Sequence, residues 1–169
     1  MKSAGLKKAK IMRLGIDPGI TGAIALLDTD DVIWVRDMPT MAKASGKGNQ
    51  VNPFILADIV CDAIEEAEKR GSKLTVYLER VNAMPGQGVT SVFSFGMSTG
   101  IVQGVIGAKY LPLIQPTSMA WKKRAGLTGK EKDVSRTLAI QQHPEIAEEL
   151  RRKKDVGRAD AIFIAKFGE

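Results

Sequence analysis

The chain has 169 residues, 44% hydrophobic and 26% charged, with Lys+Arg 25 against Asp+Glu 19 for a formal net charge of +6. That size and balance predict a single domain with a buried core. One cysteine (Cys61) and one histidine (His143) exclude an internal disulfide framework, a cysteine zinc site and a histidine metal cluster; any metal is then held mainly by oxygen, which favours magnesium, manganese or calcium.

Residues 1–10 carry Lys2, Lys7, Lys8 and Lys10 and no acid, and read as a flexible basic arm before a domain over 11–169. They lack an apolar signal core, which argues against secretion. Three short strands follow, Ile11–Asp17, Gly22–Asp28 and Val32–Met38, with Pro18-Gly19 and Thr29–Asp31 as turns. Connections this short join antiparallel neighbours. Pro39–Gln50 reads as an exposed loop. Asn52-Pro53 opens a helix, a cap followed by proline at the first helical position, with Leu56, Ile59, Val60, Ala63 and Ala67 as its apolar stripe and Gly71 as its end.

Lys73–Arg80 is the fourth strand and Asn82–Thr90 a loop. A helix over Ser91–Gly107 is next, then a fifth strand, Leu111–Gln115. Helical stretches are expected near 117–125, 130–142 and 144–153, and a last helix over 158–167. The apolar runs fall short of the roughly 20 residues of a membrane span, so no membrane partner is expected. The β-β-β-α-β-α-β-α order is that of an RNase H-like α/β fold, a mixed five-stranded sheet flanked by helices, with the fourth strand returning parallel through a helical crossover.

Strand alternation places two acids. Met12, Leu14 and Ile16 share one face of the first strand and Asp17 takes the other. Leu74, Val76 and Leu78 share a face of the fourth and Glu79 takes the other. If the two strands are parallel neighbours, about 4.8 Å apart, both carboxylates stand at the C-terminal edge of the sheet, where open α/β sheets put their sites. Asp160 falls in the first turn of the last helix, whose apolar run (Ala161, Ile162, Phe163, Ile164) packs it on the sheet, and Asp155 precedes it. Two unit charges about 4 Å apart repel by ~4 kcal/mol at an effective dielectric of 20. Divalent cations relieve that repulsion and serve phosphodiester hydrolysis. Taken singly, Asp17 before Pro-Gly reads more simply as a turn-former, Glu79 at a strand end as a surface residue and Asp160 in a first helical turn as a helix-dipole partner.

The basic side chains are unevenly spread. Residues 11–120 carry 9 basic and 11 acidic side chains, while 121–158 carry 11 and 6. A basic C-terminal third suggests a polyanion across one face; a solvated helix face accounts for the same pattern. Gly96, Gly100 and Gly104 form a stripe that permits close helix approach, either within the subunit or at a dimer interface.

Four segments carry a family resemblance that runs from about Arg13 to Gly168. Gly15-Ile16-Asp17-Pro18-Gly19 resembles the first motif of RuvC-like Holliday junction resolvases. Leu78-Glu79-Arg80-Val81, with Ala83-Met84-Pro85-Gly86-Gln87-Gly88, resembles the second-carboxylate motif of the phage-type branch. Trp121-Lys122-Lys123 and Lys132-Asp133-Val134-Ser135-Arg136 look like its DNA-facing helices. Lys153-Lys154-Asp155-Val156-Gly157-Arg158-Ala159-Asp160-Ala161 is similar to the terminal motif, particularly of phage members and the plant chloroplast resolvase.

The resemblance implies a homodimeric crossover junction endodeoxyribonuclease of DNA recombination and repair. It would bind four-way junctions and make paired nicks with Mg2+ or Mn2+, two ions per site as in two-metal nucleases. By position, Asp17, Glu79, Asp155 and Asp160 are its catalytic acids and metal ligands. Lys132 approaches the scissile phosphate or the water. Met84, Gln87, Trp121, Lys122, Lys123, Arg136, Arg151, Arg152, Lys153, Lys154 and Arg158 face DNA. The bacterial pattern has an aspartate three residues before the last one, where this chain has Gly157; the spacing of Asp155 and Asp160 resembles the phage and chloroplast branch instead. No small-molecule cofactor is implied, and the expected setting is a bacterial or phage-infected cytoplasm, with an organelle as the alternative. The competing readings are a less selective branched-DNA or RNA–DNA hybrid nuclease of the same fold, an ATP-binding domain of the actin and sugar-kinase type on Asp17, Gly19, Thr21 and Gly22, and a DNA-binding module with a dead site.

Overall fold

The computed structural model describes residues 10–83 and 85–169. Except for Lys10, the expected arm lies outside the described residues, and so does Met84. Strands β1 (Ile11–Ile16), β2 (Ala23–Asp28) and β3 (Asp31–Asp37) form an antiparallel meander. Helix α1 (Pro53–Lys69) starts where the cap predicts, the Asn52 side chain accepting from the N–H groups of Phe54 and Ile55. It crosses over to β6 (Lys73–Leu78), which pairs parallel with β1. After α2 (Val89–Ala108) comes β7 (Leu113–Ile114), parallel to β6. Helices α3 (Ser118–Arg124), α4 (Lys132–Gln142) and α5 (Val156–Phe167) complete the chain. The sheet order is β3-β2-β1-β6-β7, the mixed five-stranded sheet flanked by helices that the element order predicts.

Alternation along the strands divides the core into two layers. Met12, Leu14, Ile16, Ile24, Leu26, Leu74, Val76 and Leu78 pack against α1 and α2. Ala23, Ala25, Leu27 and Tyr77 face the other way, against Ala161, Phe163 and Ala165 of α5 and Trp121 of α3. Small side chains on this second face let α5 lie close: a Cβ on Gly15 would overlap the Ala161 carbonyl oxygen.

Several boundaries differ from expectation, for local reasons. The segment read as a loop over 39–50 contains a small hairpin, β4 (Thr40–Ala42) paired with β5 (Asn49–Val51). The fifth strand shrinks to two residues because Pro112 and Pro116 bracket it without N–H donors. The helix expected near 144–153 is instead three 3-10 turns, Pro144–Ile146, Glu148–Leu150 and Lys153–Asp155. Extended backbone at Arg152 (φ -90°, ψ 145°) separates the second turn from the third, and Arg136 donates to the carbonyls of Leu150 and Arg151 just before it. Helix α5 begins two residues before the expected Arg158.

Helix α2 corrects the expectation that no segment reaches membrane length. Its 20 residues carry no charge and suffice to cross a membrane by length and composition, a property that interspersed Ser, Thr, Gly and Gln hide from a search for apolar runs. Ser98, Thr99, Val102 and Ile106 are its buried residues, and it packs against α1. A Cβ at Gly96, Gly100 or Gly104 would meet nothing within 4 Å, so these glycines do not serve close packing within the subunit.

Candidate active site

Parallel pairing of β1 and β6 aligns Ile16 with Leu78, and the ladder continues one step as the Glu79 N–H donates to the Ile16 carbonyl at 3.1 Å. Because Ile16 and Leu78 face α1 and α2, Asp17 and Glu79 emerge on the α5 side at the C-terminal edge. A tight turn shapes the backbone here. The Asp17 N–H donates to the Ala23 carbonyl at 3.0 Å, and Asp17 Oδ1 accepts from the Gly19 N–H at 3.3 Å. Gly22 must lack a side chain, since a Cβ would overlap the Asp17 carbonyl.

The first turn of α5 rests on this same turn. A Cβ on Gly157 would stand 2.8 Å from the Thr21 carbonyl oxygen, closer than real Cβ contacts. That close approach brings Asp160 to the sheet edge. Removal from water pushes the Asp17 carboxyl up to about 7, the charges of Glu79 and Asp160 adding to the rise and the Gly19 amide and Lys122 opposing it. Burial likewise raises Asp160 to about 6; Glu79 adds to this, while Ser135, Lys122 and Lys132 oppose it. The Ser135 hydroxyl also lies 3.0 Å from the Lys132 carbonyl.

Asp17 and Asp160 open into a cavity of about 660 Å3 lined also by Lys122, Lys130, Lys132, Lys153 and Lys154. Among the described residues no three Asp, Glu, His or Cys side chains form a ready cage for an ion. The donor chemistry nonetheless fits a hard divalent cation: carboxylate oxygens only, two of the carboxyls with pKa values raised by burial and, to a smaller extent, by neighbouring carboxylate charge.

No family model matches the chain. The chloroplastic Holliday junction resolvase MOC1 of Chlamydomonas reinhardtii is 35% identical over 101 residues, 59% of this chain, which spans 12% of that relative's length. Among solved structures, T. thermophilus RuvC in complex with Holliday junction substrate is similar at a TM-score of 0.56 and 16% identity, over 92% of this chain and 90% of that one. The fold is RNase H-like, that of RuvC. A second Thermus thermophilus RuvC structure gives a TM-score of 0.48 at 18% identity, over 92% and 91% of the two chains.

On this RuvC-like fold the expected residues separate into groups. Asp17 and Asp160 line one cavity with Lys122, Lys132, Lys153 and Lys154, and the Glu79 charge acts on both carboxylates. Asp155 does not join them. It is buried, both its oxygens accept from Arg152, and the Arg152 side chain and amide together hold its carboxyl below the ordinary range against the effect of burial. Arg152 and Arg158 are committed to internal pairs: Arg158 donates to Asp37 Oδ1 at 2.6 Å and to the Glu149 carbonyl at 2.9 Å. Arg136 is held by both oxygens of Asp133, at 2.7 and 3.0 Å.

Trp121 is the clearest correction. It is 1% exposed and cannot stack on a base, because its ring belongs to the core beneath α5. Lys123 and Arg151 are exposed, as is Gln87 in the loop after Glu79. The sequence reading missed Lys130 and Ser135. The Lys130 position follows from the turn ending at Gly129; Ser135 could have been found from its place one helical turn after Lys132, on the same face of α4.

Proposed function

We propose that this chain is a divalent-metal-dependent endonuclease that resolves four-way DNA junctions as a homodimer. The observation that carries the reading is the convergence of Asp17, Glu79 and Asp160, from two parallel strands and a helix, beside a cavity lined by five lysines. Oxygen donors suit a magnesium-like ion, and lysines suit a phosphate backbone. The 35% identity to a Holliday junction resolvase and the RuvC-like fold support the same choice of substrate.

Asp17, Glu79 and Asp160 would hold Mg2+ or Mn2+, in one or two sites. A bound divalent ion supplies charge neutralisation, a more acidic water and stabilisation of the oxygens of an in-line displacement. Lys122 and Lys132, which already face the carboxylates, position the scissile phosphate. Lys130, Lys153 and Lys154 carry the flanking backbone. Asp155 fixes the start of α5 through Arg152, and so the placement of Asp160.

Dimerisation suits α2. Its outward side presents Val89 (87% exposed) and Phe93 (67% exposed), the open glycine stripe and no charge. The likeness to a chloroplastic protein supports an organelle as the alternative to a bacterial or phage-infected cytoplasm.

A panel of labelled duplex, flap, RNA–DNA hybrid and four-way junction substrates, each incubated with Mg2+, tests the substrate. Symmetric nicks confined to the junction are expected. Preferential cutting of the hybrid would favour the alternative nuclease.

A further inference from the structure

The largest fully buried side chain of the molecule, Trp121, reaches the functional edge by its polar end. Its indole Nε1–H donates to Glu79 Oε1 at 3.2 Å. Two features make this contact a built one. Helix α3 is anchored on the continuation of the strand that carries Glu79: Arg80 bridges Thr117 in parallel fashion, the Arg80 N–H donates to the Pro116 carbonyl at 2.8 Å, and the Thr117 side chain caps α3 by accepting from the Ala120 N–H at 3.2 Å. The ring itself is locked in the core with Tyr77 and residues of α5. A buried indole has one donor and no acceptor, so Glu79 meets its only polar requirement.

From this we infer that Trp121 is a positioning residue for the metal site, fixing Glu79 so that one carboxylate oxygen is tied back and the other would be available to a cation. The inference rests on the proposed reading of Asp17, Glu79 and Asp160 as metal ligands. Among the described residues Glu79 Oε2 takes no hydrogen bond, so it is the oxygen left for coordination. A glutamate has three rotatable bonds and loses rotamer freedom on coordination; a rigid donor removes that loss in advance. The next residue extends the device. Lys122 Nζ stands 5.2 Å from the Trp121 ring centroid, and its charge acts on Asp17 and Asp160. One short helix therefore addresses all three carboxylates. Partners of this kind, bound to a ligand and not to the ion, typically change metal affinity by about 10–100-fold.

The test uses Trp121→Phe, which keeps an aromatic ring and deletes the N–H. Mn2+ affinity is measured on DNA-free protein by electron paramagnetic resonance, and cleavage is measured as a function of Mg2+. The expected result is Mn2+ binding weaker by about tenfold or more, with half-saturating Mg2+ raised by a similar factor and most of the rate restored at saturating ion. A purely structural role would lower the active fraction without moving the half-saturation point. Wild-type protein supplies a second measurement that does not depend on the variant folding. Of the two indole N–H resonances, from Trp34 and Trp121, only that of Trp121 should shift on Mg2+ addition. Parental Mn2+ affinity in Trp121→Phe, or an unmoved Trp121 resonance in protein that binds Mg2+, overturns the inference alone. Wild-type protein that binds neither ion overturns it together with the metal-site reading.

Discussion

Asp17 and Asp160 both titrate above the ordinary value of 3.8. Between about pH 4 and 7 the native state then binds more protons than the unfolded chain, so these two groups lower stability as pH rises through that window. Metal-free Asp17→Asn should therefore melt higher than the parent at pH 8, the two converging near pH 4. A lower melting temperature for the variant at pH 8 would contradict this. Asp155 has the opposite sign: its carboxyl lies below the ordinary range, so its stabilisation is present above pH 4 and lost in acid. Asp155→Ala should cost about 2–3 kcal/mol in metal-free protein, the scale of a charge-assisted hydrogen bond, as measured by urea unfolding; unchanged stability would return Asp155 to the role of a ligand. Asp17 and Glu79 were legible in the sequence because strand alternation alone fixes their side of the sheet. The Asp155 pairing and the Trp121 contact were not, since both depend on which distant segments pack together.

At the scale of elements, α5 decides whether a site exists, and Gly157 decides where α5 sits. The Thr21 carbonyl is backbone and cannot swing away from an added Cβ. Gly157→Ala should destabilise the protein by about 1–3 kcal/mol, as overpacking does, and should depress cleavage more than DNA binding. Gly157→Asp, which restores the bacterial pattern, should suffer the same defect and supply no useful fourth acid. Full activity in Gly157→Asp, measured on a four-way junction, would contradict this placement of α5. The strands and α1 were legible from periodicity and from the Asn52-Pro53 cap. The segment over 144–153 was not, because its helix-like composition does not reveal the extended backbone at Arg152 or the distant Arg136 that holds the carbonyls before it. The β4–β5 hairpin was missed because it is only three residues on a side and rich in polar turn formers.

For the whole molecule, the fold provides a lysine-lined cavity and an uncharged helix; the proposed function gives the first to DNA and the second to a second copy. If α2 forms the proposed dimer interface, parent protein should sediment as a dimer and Phe93→Glu as a monomer in analytical ultracentrifugation, with paired nicking uncoupled; a variant that stays dimeric would move the interface elsewhere. The order of elements made the fold legible, while the open face of the glycine stripe required coordinates, since sequence does not say which side of α2 is covered. Cleavage of a four-way junction with both strands sized, in Mg2+ and in chelator, for parent, Asp17→Asn and Glu79→Gln, tests whether these carboxylates gather a metal ion for strand scission. Paired nicks by the parent in Mg2+, none in chelator, and intact junction binding without cutting by both variants are the predicted result. Turnover in chelator, or parental cutting by either variant, would show that these carboxylates do not gather the ion that breaks the strand.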